Sequence, residues 1–95
     1  MLYMVIERFK NRDAAAVYRR VSERGRMMPD GLGYVTSWVE TNHDRCFQVM
    51  ECGDEKGLRQ WADKWRDLVD FEFVPVITGA EMAEAMPLRS PGAPE

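Results

Sequence analysis

Two glutamates set into otherwise apolar runs, Glu7 and Glu51, are the residues of this chain best suited to acid–base chemistry. A carboxylate facing an aromatic cavity loses hydration, its pKa rises, and it can then accept or release a proton near neutrality. The competing reading is that both stand near strand ends, where a charge simply reaches solvent. Tyr34 and Trp38 are the candidates for ligand contact, since either ring can stack on a flat molecule or form the core of a subunit contact. No nucleophile motif, Gly-rich phosphate loop or paired-carboxylate signature accompanies them, so the catalytic residues stay open.

Metal chemistry finds little support. His43 is the single histidine, set between Asn42 and Asp44 in a segment whose turn chemistry explains it. Zinc needs three or four ligands, and the two cysteines cannot supply them together. Cys46 and Cys52 fall in one strand-like run, which at ~3.3 Å per residue separates them by about 20 Å. That distance also excludes a mutual disulfide. Two free thiols, no metal and no cofactor are the expectation.

The elements that must position these residues follow from periodicity. Residues 2–9 are rich in Val, Ile, Tyr and Phe and form a first strand. Asn11 or Asp13 can cap a helix whose apolar stripe is Ala14, Val17, Tyr18 and Val21, with Gly25 closing it. Met27-Met28-Pro29-Asp30-Gly31 is a loop with a Pro-Asp-Gly turn signal. Strands at 32–40 and 45–52 form a hairpin over Thr41-Asn42-His43-Asp44. Gly53-Asp54-Glu55 opens a second helix in which Leu58, Trp61, Ala62, Trp65, Leu68 and Val69 recur at helical spacing. A fourth strand covers 71–78, and Pro75 inside it marks a sheet edge. A short helical turn follows at 80–85, and the Pro-rich tail 87–95 is expected to be mobile.

The order β-α-β-β-α-β identifies an α+β, ferredoxin-like plan: a four-stranded antiparallel sheet with two helices on one face, in a single domain over residues 1–86. With the hairpin turn centred on Asn42-His43, Trp38 lies opposite Phe47, Thr36 opposite Val49 and Tyr34 opposite Glu51. Val35, Ser37 and Val39 then share the other side with Cys46, Gln48 and Met50. The Val-rich side leaves room beneath Trp61 and Trp65. The aromatic side has no cover of its own, and monomers rarely leave such a patch wet. A twofold homodimer that buries it, with a small cavity between subunits, is the expected solution.

Charge bounds the partners. Residues 8–26 carry a net of +5 and the remainder −8, against −3 for the whole chain. Arg19, Arg20, Arg24 and Arg26 make the only cluster suggestive of nucleic acid. The RNP-type pattern is absent, however, and a pI of about 5.2 argues against a basic platform. No nucleic-acid partner is expected. The opening run Met1–Ile6 is far shorter than the roughly 20 residues of a membrane span, so no membrane partner and a cytoplasmic location are expected.

Leu2-Tyr3-Met4-Val5-Ile6-Glu7, Tyr34-Val35-Thr36-Ser37-Trp38-Val39, Arg45-Cys46-Phe47-Gln48-Val49-Met50-Glu51 and Trp65-Arg66-Asp67-Leu68-Val69-Asp70-Phe71-Glu72, continued by Pro75-Val76, form long blocks. With these blocks the chain resembles, over residues 1–85, a family of short bacterial proteins described only as a domain of unknown function. The resemblance implies a fold similar to the dimeric α/β-barrel proteins and carries over no catalytic residue. That superfamily includes cofactor-free monooxygenases, isomerases and stress-response proteins, which is a fold-level analogy. Two functions are therefore carried forward. One is a homodimer binding a small apolar or aromatic molecule beside Tyr34 and Trp38, between sheet and partner. The other is a cofactor-free monooxygenase- or isomerase-like enzyme with Glu7 or Glu51 as base.

Overall fold

A computed structural model of the chain describes residues 1–86; the 87–95 tail of the sequence reading lies outside the described residues. The elements are β1 (Leu2–Phe9), α1 (Ala14–Arg24), β2 (Gly33–Val39), β3 (Arg45–Glu51), α2 (Glu55–Asp63), β4 (Val69–Val76) and α3 (Gly79–Ala85). The strands form one antiparallel sheet in the order β2-β3-β1-β4. This is the ferredoxin-like α+β arrangement, with Pro75 on an edge strand as its missing N–H requires.

Each helix starts where a side chain satisfies an orphan backbone donor. Asp13, not Asn11, caps α1 by accepting from the Ala16 N–H at 3.1 Å. Asp54 caps α2 through the Lys56 N–H at 2.8 Å. Thr78 and Glu81 form a reciprocal capping box on α3. Gly25 ends α1 with φ of +67°, a value costly for a residue with a Cβ.

Alternation sorts the sheet into two faces. Tyr3, Val5, Glu7 and Phe9 of β1 and Cys46, Gln48 and Met50 of β3 are all buried, and with Val17, Leu58, Trp61 and Trp65 they form the core beneath the helices. The opposite face carries Met4, Ile6, Phe47, Val49 and Val74 at intermediate exposure, and Trp38 at 58%.

Two expectations need correction. Trp38 does pair with Phe47 and Thr36 with Val49, but Tyr34 pairs with Met50 and not Glu51. The register shifts between Tyr34 and Thr36, leaving Val35 as the extra residue of a bulge. Tyr34 therefore moves to the helix-covered face. The second helix is also shorter than its apolar spacing suggests. It stops at Asp63, and the chain tightens through Lys64 N–H to Trp61 O (3.1 Å), Trp65 N–H to Ala62 O (2.8 Å) and Leu68 N–H to Trp65 O (2.9 Å). These shorter-range bonds return the backbone to the sheet, so Val69 belongs to β4 opposite Phe9.

Among the described residues, no helix is long and apolar enough to cross a membrane. Trp61 and Trp65 are 3% and 4% exposed. Truncating either to alanine is expected to cost ~3–5 kcal/mol by cavity formation, read from urea denaturation. A cost below about 1 kcal/mol at both positions would be incompatible with this packing.

Candidate functional site

The helices do not seal the inward face completely. A cavity of about 70 Å³ remains between sheet and helices. Its floor is Glu7 and Phe9 from β1, Ser37 from β2, and Cys46 and Gln48 from β3. Its walls are Val17, Tyr18 and Val21 from α1, Trp61 and Trp65 from the α2 region, and Arg26 from the connecting loop. Strand alternation places Glu7 two residues from Val5 and Phe9, both core positions, so its side chain must point inward with theirs.

Glu7 is 7% exposed and accepts one hydrogen bond from Gln48 Nε2 at 2.5 Å. Burial pushes its pKa from 4.5 to about 7; the Gln48 bond and the positive charge of Arg26 pull the other way but do not win. A carboxyl in this state is present in both protonation forms at neutral pH, the condition under which it can accept and return a proton. Gln48 is itself 6% exposed. Among the described residues no buried side-chain polar atom lacks a hydrogen-bond partner.

The neighbours divide into inert and polar groups. Burial, with Glu7 second, pushes the Cys46 thiol up to about 12, so it stays protonated and is no nucleophile at neutral pH. The Tyr18 phenol is also raised, first by desolvation and then by Cys46 and Glu7, while Arg26 opposes this. The bulge at Val35 puts Tyr34 and Ser37 on the same face although they are three residues apart, and their hydroxyls hydrogen-bond at 2.7 Å. Arg26 lies over the Tyr34 ring, with its guanidinium carbon 3.9 Å from the ring centroid. Its backbone carbonyl accepts from both Trp61 Nε1 (2.9 Å) and Trp65 Nε1 (3.2 Å).

Of the residues singled out in the sequence, Glu7 lines the cavity and Tyr34 stands beside it beneath Arg26. Glu51 is exposed at the end of β3, opposite Leu2 and Gly33. Trp38 opens on the other face of the sheet, so Tyr34 and Trp38 do not share a pocket within one chain. His43 is exposed at a left-handed turn position (φ +66°). Gln48, Tyr18 and Arg26 carry weight that the sequence reading did not give them. The available signal was parity: Gln48 falls between Cys46 and Met50 on the inward face, where a polar side chain needs a partner. A wider, shallower groove of about 510 Å³ runs between α1 and the hairpin end of β2. Tyr18 is common to both hollows. Among the described residues no cluster of three or more His, Cys, Asp or Glu could hold a metal ion.

The pKa of Glu7 lies above its ordinary value, so the folded protein holds a proton that the unfolded chain releases. The associated stability is fully present below pH 4.5 and is lost as pH rises to about 7. The charged and titratable groups facing it are Tyr18, Arg26 and Cys46, from α1, the loop and β3. Glu7→Gln removes this titration. Denaturation across pH is expected to show the variant matching the wild type in acid and exceeding it by about 1–3 kcal/mol above neutrality. Parallel curves for the two proteins would contradict a buried, raised Glu7.

Comparison with known proteins yields no match among curated proteins or solved structures. One family model does match, that of the domain of unknown function DUF3303, over residues 1–88, and the chain belongs to that family.

Proposed function

We propose that this protein binds a small organic molecule in the cavity above Glu7 and that Glu7 exchanges a proton with it, as in an isomerase-type reaction. The observation that carries this reading is the position of Glu7: a carboxyl 7% exposed, with a pKa near 7, on the floor of a hollow with aromatic and aliphatic walls. A buried acid with one hydrogen bond costs stability, which favours a role in chemistry over one in packing. The enclosed volume is about half that of an engineered core cavity that takes benzene, roughly 150 Å³. Only the reacting end of a substrate fits within, and the groove beyond Tyr18 offers space for its body. In the simplest step, the Glu7 carboxylate takes a proton from a carbon beside a carbonyl and returns it at the same or a neighbouring position. Gln48 holds the carboxyl in place.

A thermal-shift screen of small enolisable carbonyl compounds tests the binding, since a ligand of the folded state raises the transition by mass action. Hits are then followed by NMR for hydrogen–deuterium exchange at the acidic carbon. The exchange rate is expected to rise with pH and level off above an inflection near 7, the pKa of Glu7. Glu7→Gln should lower it by ~100-fold or more. An unchanged rate in that variant, or no stabilisation by any compound, would remove this reading.

We also propose that the helix-free face of the sheet pairs with a second copy of the chain. Met4, Ile6, Phe47, Val49 and Val74 make it apolar across β1, β3 and β4, and Trp38 is largely exposed on it. Four strands at ~4.8 Å spacing and ~3.3 Å per residue present roughly 500 Å² of flat area. Two copies would thus bury on the order of 1,000 Å² before side-chain relief is counted, close to the lower bound of a stable interface. Light scattering at micromolar concentration should give twice the 11.0 kDa chain mass. Trp38→Asp, at a site exposed in the single chain, should return the mass to 11.0 kDa without unfolding. A wild-type monomer would rule the pairing out.

A further inference from the structure

We propose that the molecule taken by the Glu7 cavity carries a carboxylate, and that Arg26 is the residue that binds it. This rests on the cavity being a ligand site and specifies the chemical class of the ligand.

Several cations of the chain sit beside an acid. Lys10, Arg12, Arg20, Arg45, Arg59 and Arg66 are each within 4.0 Å of a carboxylate. Arg26 has no such partner among the described residues. Arg19 and Arg24 also lack one but border a separate hollow over α1, Arg8 lies on the helix-free side, Lys64 is spent on the Met27 carbonyl, and Lys56 does not line the cavity. Among the described residues, Arg26 is the only cation that lines the cavity holding Glu7.

Arg26 is also held in place. The two indole N–H groups of Trp61 and Trp65 fix its carbonyl, and the Tyr34 ring supports the flat side of its guanidinium. Stacking on a ring leaves the in-plane N–H donors of a guanidinium free. That fork matches the two oxygens of a carboxylate. A ligand carboxylate there would have Tyr18 of the wall as a further hydroxyl donor, with Ser37 of the floor nearby but already sharing a hydrogen bond with Tyr34. A singly charged anion fits this setting better than a phosphate dianion. One cation is available, and the Glu7 carboxyl shares the space and would repel a second negative charge.

The test uses the full chain and four probes at constant ionic strength: propionate and benzoate, with propionamide and benzamide as neutral matches. Binding is followed by NMR titration of backbone amides. Both acids are expected to bind saturably at millimolar concentration, at least ~10-fold tighter than their amides, the scale of one charge-assisted bidentate contact. Arg26→Met should lose that preference, Arg26→Lys should keep part of it, and Glu7→Gln should keep it. An unchanged thermal transition in Arg26→Met separates lost binding from lost folding. Equal affinity for acid and amide, binding that survives in Arg26→Met, or no binding of either acid would overturn the proposal. The Glu7 exchange experiment answers separately. Proton exchange without acid preference would sink only the carboxylate assignment. Acid preference without Glu7-dependent exchange would sink only the proton-transfer reading.

Discussion

The backbone carbonyl of Arg26 accepts hydrogen bonds from two buried tryptophans, and the layout of the site depends on that one oxygen. Trp61 and Trp65 fill the space between helix and sheet, and each brings an indole N–H that cannot be left unpaired there. Each bond contributes about 1 kcal/mol, and leaving a donor orphaned would cost about 1–3 kcal/mol. A carbonyl has two lone pairs and serves both. The loop from Gly25 to β2 is thereby tied to α2. Lys64 Nζ adds a further tie to the Met27 carbonyl at 2.9 Å. The cavity thus has a fixed rim, and the Arg26 side chain projects from it over Tyr34.

On the opposite wall, α1 is held to the turn after α2 by Arg20. Its guanidinium makes a two-bond contact with Asp67 at 2.7 and 2.6 Å, reaches the Lys64 carbonyl at 3.1 Å and lies 5.6 Å from the centre of the Trp65 ring. Asp67 is held below the usual carboxylate range chiefly by this hydrogen bond. With Asp67 largely exposed, the pair contributes modestly to stability. Its larger effect is geometric, since it fixes where Tyr18 and Val21 meet the cavity. The basic cluster of the sequence is in this way divided: Arg20 braces two elements, and Arg26 faces the site.

Glu7 is the point where this scaffold departs from a simple core. Tyr3, Val5 and Phe9 on the same strand face are apolar and buried, and an apolar residue at position 7 would continue the pattern. The carboxyl instead remains, its charged form disfavoured by burial and only partly supported by Gln48 and Arg26. Functional sites commonly carry such a cost, because a group that is comfortable in one protonation state transfers protons poorly.

Much of the fold follows from local periodicity. The alternation in β1 and β3 and the stripe through Leu58, Trp61 and Trp65 depend only on neighbours a few residues away, so element order, the Pro75 edge and the burial of both tryptophans were legible in the chain. The same alternation placed Gln48 beneath the helices, whereas the side taken by Glu7 needed the β1–β3 pairing that sets it opposite Cys46. What the sequence could not decide was set by contacts between distant segments. The bulge at Val35 arises from the pairing of β2 with β3, and one extra residue moves Tyr34 to the opposite face. The early stop of α2 answers the demand that Val69 pair with Phe9. Arg26 read as one member of a basic cluster with Arg19, Arg20 and Arg24, and it reaches the Glu7 cavity only because two indoles 35 and 39 residues away bind its carbonyl. Periodicity records which way a side chain points, whereas the tertiary structure decides what it meets.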